Sequence, residues 1–215
     1  MFQITPRWHY NLDMTLVIAC KSKEGIIIAS DGYGKRYVPG VGNTSEIVDD
    51  AKKIFDFHNC SLLAFGAGVE DYDEFLKDLT VFVEGPIDYD FLQKNLTTYL
   101  SRKYDSDIYF SENICLILAG IDKDSQQRIG VFQSISDKGV GFHFSESHKD
   151  YYCGGRVGIA DSRFGSRQDF AQENADEVAL LAKESIIETS KQPGIDVNDN
   201  VTVKLITQEG IKTLD

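Results

Sequence analysis

Two short apolar runs separated by a polar turn constrain the fold more than any other feature of this sequence. Residues 14–20 and 25–31 are rich in β-branched side chains and are too short for typical helices. We therefore predict a buried β-hairpin. Its geometry brings Thr15, which opens the first strand, and Asp31, which closes the second, to the same edge of a sheet. Lys53 heads the next apolar stretch along the chain.

The remaining pattern predicts segregated strands and helices. Apolar runs and alternation predict strands at 51–57, 60–65, 114–121, 127–135, 140–144, 151–155, 201–207 and 211–214. Apolar stripes at helical spacing predict helices at 69–83, 88–102, 159–172 and 175–190, and Gly, Pro and Asn predict a loop at 32–43. Segregated runs favour an α+β fold over alternating βαβ units. Two antiparallel sheets between helical layers, a four-layer αββα sandwich, would bury every apolar stripe.

Length and charge limit the classes of function. We expect residues 1–14 to be an N-terminal tail or a propeptide, and 15–215 to form one folded domain. The 22 basic and 34 acidic residues give a net charge of -12, which argues against non-specific binding to nucleic acid or to an anionic membrane surface. No apolar run approaches transmembrane length, and residues 1–14 lack the apolar core of a secretory signal.

Cysteine and histidine are scattered and give no metal-binding pattern. The sequence contains no C-x-x-C, no H-E-x-x-H and no Cys/His cluster with zinc spacing. We therefore expect neither a metal site nor a cofactor. Most of the cysteines lie in apolar strand-like runs, which predicts buried, reduced thiols and a cytoplasmic protein.

The order of these features resembles that of the proteasome β-type subunits and their bacterial ring relative HslV, which belong to the N-terminal-nucleophile hydrolases. The shared order is Thr15, a strand, Gly25, a strand ending in Asp31, a loop, Lys53 before a strand, and the segment 66–68 before a helix. Thr15 reaches Asp31 without gaps in the family pattern. The resemblance is good over residues 15–82, and the rest of the chain agrees with the family in the order of its strands and helices. It implies the same αββα sandwich.

The resemblance implies a threonine-type peptidase, a hydrolase. A threonine hydroxyl is a poor nucleophile until a base takes its proton. In this family the base is the freed α-amine of the threonine itself, which has a pKa close to neutrality. Thr15 would be the nucleophile, Lys53 would supply positive charge, and Asp31 would orient the lysine. Ala67 and Gly68 would offer N–H groups to the oxyanion and to the backbone of the substrate.

The supporting residues of the family are matched in part. Gly154 stands at the position of the family's serine before the third helix. The late Asp-x-x-Ser-Gly is absent, and Asp196 and Asp199 are its nearest equivalents. Met14 precedes Thr15, so the nitrogen of Thr15 is a peptide amide unless the chain is cleaved at this bond or begins at Met14.

Three hypotheses follow for the function of the chain. The first is a peptidase acting on extended polypeptide in a homo-oligomeric ring or stacked rings, with an ATP-dependent unfoldase as partner. The second is a non-catalytic ring or structural subunit in which Thr15 stays blocked. The third is nucleotide binding, because residues 65–71 superficially resemble a G-x-G-x-x-G loop. Asp71 occupies the place of the third glycine, and no parallel βαβ pattern surrounds it, which argues against the third hypothesis.

Overall fold

A computed structural model describes residues 15–37, 45–65, 87–104, 115–134 and 142–214. The predicted helix at 69–83 and the segment 67–68 lie outside the described residues. Within the described ranges the chain forms two five-stranded antiparallel sheets, a separate two-stranded ribbon and three α-helices. The predicted α+β class is confirmed.

Apart from β3 and β4, which were not predicted, the described elements follow each other in the predicted order. The strands are β1 (Leu16–Lys21), β2 (Ile26–Asp31), β3 (Gly34–Tyr37), β4 (Ser45–Val48), β5 (Ile54–Asp56), β6 (Cys60–Ala64), β7 (Cys115–Ile121), β8 (Gln127–Ser134), β9 (Phe142–Glu146), β10 (Tyr151–Gly155), β11 (Val201–Thr207) and β12 (Gly210–Leu214). The helices are α1 (Tyr89–Tyr104), α2 (Gly158–Gly165) and α3 (Ala175–Ser190), and a short 3-10 turn covers Phe170–Gln172. No helix in these ranges is long and apolar enough to cross a membrane.

The predicted hairpin lies inside the first sheet. That sheet has the order β10-β1-β2-β11-β12, and the second sheet has the order β5-β6-β7-β8-β9. Val17 lies opposite Ser30 in the hairpin, so the start of β1 and the end of β2 meet at one edge, as predicted. Val201 pairs with Asp31 on the other side of β2.

Alternate residues of β1 enter two different apolar clusters. Leu16 and Ile18 pack with residues of α2 and α3, whereas Val17 and Ala19 pack with residues of the second sheet. A third cluster joins the second sheet to α1 and includes Phe132. Because β1 is buried on both faces, its sequence is a continuous apolar run rather than an alternating one.

Two predicted segments, the loop at 32–43 and the helix at 159–172, differ most from the structure. The predicted loop at 32–43 contains β3, which pairs with β4 in a ribbon separate from both main sheets. Such a ribbon has no apolar alternation to mark it, and Ile47 of β4 is largely exposed. The predicted helix at 159–172 ends at Gly165 and is followed by the 3-10 turn. Asp169 adopts a left-handed conformation (φ 61°), which interrupts a continuous helix.

The start of α3 is tied to the β1–β2 turn. The side chain of Asn174 accepts a hydrogen bond from the N–H of Asp176 at 2.8 Å and so caps the N-terminus of the helix. The Glu24 carboxylate accepts another from the N–H of Ala175 at 2.8 Å. The negative charge of Glu24 at a helix N-terminus stabilises the contact between the turn and the helix.

Candidate active site

A buried ion pair joins the two main sheets beside the start of β1. The Nζ atom of Lys53 lies 2.6 Å from Oδ1 of Asp31, with 5% of the lysine side chain and 0% of the aspartate side chain exposed. Asp31 ends β2 of the first sheet, and Lys53 immediately precedes β5 of the second. The carbonyl of Lys53 accepts the N–H of Ala64 at 2.9 Å, which fixes the lysine backbone to β6.

The Asp31 carboxylate binds three donors. Its Oδ1 atom accepts the backbone N–H of Leu16 at 2.9 Å as well as the Lys53 ammonium. Its Oδ2 atom accepts the N–H of Tyr33 at 3.0 Å. Hydrogen bonds to both oxygens fix the orientation of the carboxylate and stabilise its charge. Because the nitrogen of Leu16 is bonded to the carbonyl carbon of Thr15, Asp31 also holds the backbone next to Thr15.

Two opposing effects act on the lysine. Burial lowers the pKa of Lys53 below its ordinary value, because the charged form is poorly solvated. The charge of Asp31 and its hydrogen bond act in the opposite direction. The charged state of Lys53 therefore depends on its contact with Asp31.

Thr15 is placed by its backbone rather than by its hydroxyl. Its carbonyl accepts the N–H of Arg156 at 2.8 Å. Gly155 has a φ of +89°, and a Cβ atom there would lie 1.8 Å from the Thr15 oxygen, so only glycine fits. Thr15 is 2% exposed. Within the described part of the chain its hydroxyl makes no hydrogen bond with Lys53 or with Asp31.

Gly154, at the position of the family's serine, packs against an aromatic ring. A Cβ atom at Gly154 would lie 2.7 Å from the Phe65 ring. The Phe65 ring in turn lies 6.2 Å from that of Tyr152, between ring centroids. The space that a serine side chain would need at position 154 is therefore filled by an apolar group.

Two asparagines of the segment 196–200 contact backbone groups beside the site. Asp199 is exposed and Asp196 is partly buried. Asn198 accepts the N–H of Gly32 at 2.9 Å through Oδ1. Its Nδ2 atom donates to the carbonyl of Asp49 at 2.9 Å.

Asn200 provides a parallel contact from the same segment. Its Nδ2 atom donates to the carbonyl of Asp49 at 2.9 Å. Sequence reasoning missed both asparagines. The available signal was a pair of Asn residues directly before a strand, but their partners Gly32 and Asp49 are distant along the chain, and the pairing of β11 with β2 brings them together.

The predicted oxyanion residues, Ala67 and Gly68, lie outside the described residues. Among the described groups, cysteine offers no reactive thiolate. Burial raises the pKa of Cys115 to about 11 and raises those of the remaining cysteines further. The described ranges also contain no group of three or more His, Cys, Asp or Glu side chains arranged to hold a metal ion.

Comparisons with known proteins assign no family to this arrangement. The chain matches no protein-family model, and no curated protein matches it significantly. The geometry around Thr15, Asp31 and Lys53 is therefore the basis for a functional proposal.

Proposed function

We propose that this protein is a threonine-type peptidase that hydrolyses peptide amide bonds through Thr15 once the amine of that residue is freed. The observation that carries the proposal is the buried Asp31–Lys53 pair. One oxygen of Asp31 binds both Lys53 and the backbone nitrogen that follows Thr15. Two buried charges are costly unless they are paired, and this pair lies beside a threonine.

Each residue has a chemical role in this proposal. The freed amine of Thr15 takes the proton of the Thr15 hydroxyl, and the oxygen attacks the substrate carbonyl carbon. The amide C–N bond breaks, the leaving amine receives the proton, and an ester to Thr15 remains until water hydrolyses it. The positive charge of Lys53 stabilises the negative charge that develops during this attack, and Asp31 holds the Lys53 ammonium in place.

A proteasome-like architecture, the four-layer αββα sandwich, belongs to the same proposal. The three apolar clusters support it. One cluster combines residues of both sheets, one combines the first sheet with α2 and α3, and one combines the second sheet with α1. These are the three interfaces that a four-layer sandwich would need.

The proposed setting follows from the same resemblance. The substrate is an extended polypeptide, and the protein works as a homo-oligomeric ring or stacked rings in the cytoplasm with an ATP-dependent unfoldase. The net charge of -12 argues against nucleic acid as an alternative partner.

A second candidate function is a non-catalytic structural or ring subunit of the same fold. It is favoured by the state of Thr15, whose nitrogen is bonded to Met14 and whose side chain and backbone are 2% exposed. A peptide nitrogen cannot act as the base, and a buried hydroxyl cannot meet a substrate. The peptidase hypothesis therefore requires the removal of everything before Thr15.

The intact mass of the purified, untagged protein is the first test. A chain beginning at Thr15 would support the peptidase, and we then expect hydrolysis of unstructured peptides and labelling by an electrophile directed at N-terminal threonine. Thr15→Ala should abolish both, whereas Thr15→Ser, which keeps a hydroxyl, should retain measurable hydrolysis. A chain that retains residues 1–14 and is not labelled would favour the structural subunit.

A further inference from the structure

We propose that Asn198 is a positioning residue that sets the contact between Asp31 and Lys53. Its carboxamide joins the segment after Asp31 to the segment before Lys53. None of these contacts involves the residues that the resemblance assigns to this region, Asp196 and Asp199.

The first half of the bridge acts on the end of β2. Oδ1 of Asn198 accepts the N–H of Gly32 at 2.9 Å, and Gly32 directly follows Asp31. Tyr33, the next residue, donates its N–H to Oδ2 of Asp31 at 3.0 Å. Fixing Gly32 therefore fixes the turn through which the carboxylate of Asp31 is held.

The second half acts on the segment that leads to Lys53. Nδ2 of Asn198 donates to the carbonyl of Asp49 at 2.9 Å. The N–H of Ala51 donates to the carbonyl of Gly32 at 2.7 Å. A Cβ atom at Gly32 would lie 2.6 Å from the Asp49 oxygen, so the two segments approach as closely as backbones can.

Asn198 is itself held on both sides. Val197 is buried in the cluster beneath α3, and Val201 pairs with Asp31 across the sheet. An amide is suited to the bridge because it offers an acceptor and a donor at once, whereas a carboxylate only accepts. The anchored segment cannot readily shift to replace a missing carboxamide.

Asn200 supplies a matched control. It donates to the same Asp49 carbonyl at 2.9 Å, and no hydrogen bond to Gly32 is among its contacts in the described part of the chain. Asn200→Ala removes one bond to Asp49 and leaves the bridge intact. Asn198→Ala removes a bond to Asp49 and also the bond to Gly32.

Amide hydrogen exchange of the full chain tests the positioning directly. The N–H groups of Leu16 and Tyr33 donate to Asp31 and report its position, and Leu118, at the centre of the second sheet, reports global stability. In Asn198→Ala we expect exchange at Leu16 and Tyr33 to be about tenfold faster relative to Leu118, which is the scale of one lost hydrogen bond. In Asn200→Ala we expect a change below about twofold.

Either of two results would overturn the proposal. One is an equal acceleration at Leu16, Tyr33 and Leu118, which would indicate general loosening. The other is the same response in the Asn198 and Asn200 variants. If Asn198→Ala does not fold, Asn198→Asp serves instead, because it keeps an acceptor for Gly32 and loses the donor to Asp49.

The catalytic consequence rests on the proposed function and is measured separately. In a chain that begins at Thr15, Asn198→Ala should lower kcat about tenfold with KM unchanged, and Asn200→Ala should leave both unchanged. If the wild-type protein hydrolyses no peptide, the proposed function fails while the exchange result still decides the role of Asn198. If hydrolysis occurs but exchange at Leu16 and Tyr33 is unaltered, only the positioning role fails.

Discussion

Asp31 is the residue on which the candidate site depends most. It is completely buried, and its two oxygens accept bonds from Leu16, Tyr33 and Lys53. Removing a charge from water is expensive, and it is tolerated here because every strong partner is in place. Removing one partner should therefore lower the free energy of unfolding by far more than the intact pair contributes to it.

We expect Asp31→Asn to lower the free energy of unfolding by about 3 kcal/mol, because it leaves Lys53 buried without a counter-charge. Urea unfolding at neutral pH measures the loss. The double variant Asp31→Asn with Lys53→Met removes both charges and should recover more than half of the lost stability. Equal stability of the single and double variants would show that the unpaired lysine is not the cause.

The pH dependence of the Asp31→Asn variant gives a second test of the same pair. Burial already lowers the pKa of Lys53 below its ordinary value of 10.5, and removal of the opposing Asp31 charge lowers it further. Between the folded and unfolded pKa values the unfolded chain binds a proton that the folded chain does not, so stability rises with pH. The loss of unfolding free energy caused by Asp31→Asn should therefore become smaller from about pH 7 to about pH 10. The double variant, which lacks the lysine, should show no such recovery.

At the scale of elements, the contact between β1 and β10 holds Thr15. Leu16 lies opposite Gly155 in this pairing, and the Thr15 carbonyl approaches the bare Cα of that glycine and the N–H of Arg156. The position of Thr15 thus depends on Gly155, which lies in a neighbouring strand but is far from Thr15 along the chain. This contact requires both the positive φ and the absence of a side chain.

Gly155→Ala should destabilise the protein by about 3 kcal/mol, since a methyl group would combine left-handed strain with a clash against the Thr15 carbonyl. Gly158→Ala is the matched control, because a Cβ atom there meets nothing within 4 Å at the start of α2. The control should be neutral or stabilising by up to about 1 kcal/mol. Thermal and urea unfolding of both variants measure the difference, and equal losses would contradict the close approach.

At the scale of the whole molecule, the cluster between the two sheets holds the site together. It contains apolar residues from β1, β2 and β11 of the first sheet and from β5 to β8 of the second. Because Asp31 and Lys53 belong to different sheets, their contact depends on the packing of this cluster. A salt bridge between Lys204 of β11 and Asp56 of β5 adds a link at the surface, where ion pairs contribute little.

Ile117→Ala should lower the free energy of unfolding by about 3 kcal/mol, because it opens a cavity in the centre of this cluster. Ile117 is fully buried in β7. Leu180→Ala on α3 is the control, since Leu180 is 57% exposed, and it should change stability by less than about 0.5 kcal/mol. Chemical denaturation of both variants measures the two losses of stability. Similar losses in the two variants would contradict the prediction.

Most of the architecture was predictable from local patterns. The hairpin of β1 and β2, the helix α3 with its Asn174 cap, and the final pair β11 and β12 follow from apolar runs and turn residues. The ribbon of β3 and β4 was missed because its sequence has no apolar alternation. The end of α2 was predicted wrongly because the pattern of apolar residues gives no sign of the left-handed conformation of Asp169.

Side-chain type and local spacing were enough to predict most of the elements and their order along the chain, and the resemblance of that order to a known family singled out Asp31 and Lys53. Three contacts could be seen only in the folded chain: Lys53 is a buried partner of Asp31 rather than a solvated charge, Phe65 fills the space beside Gly154, and Asn198 bridges Gly32 and Asp49. Those contacts join residues that are far apart in the chain. They form only when β11 pairs with β2 and the two sheets pack together, and no local pattern encodes distances between such remote segments.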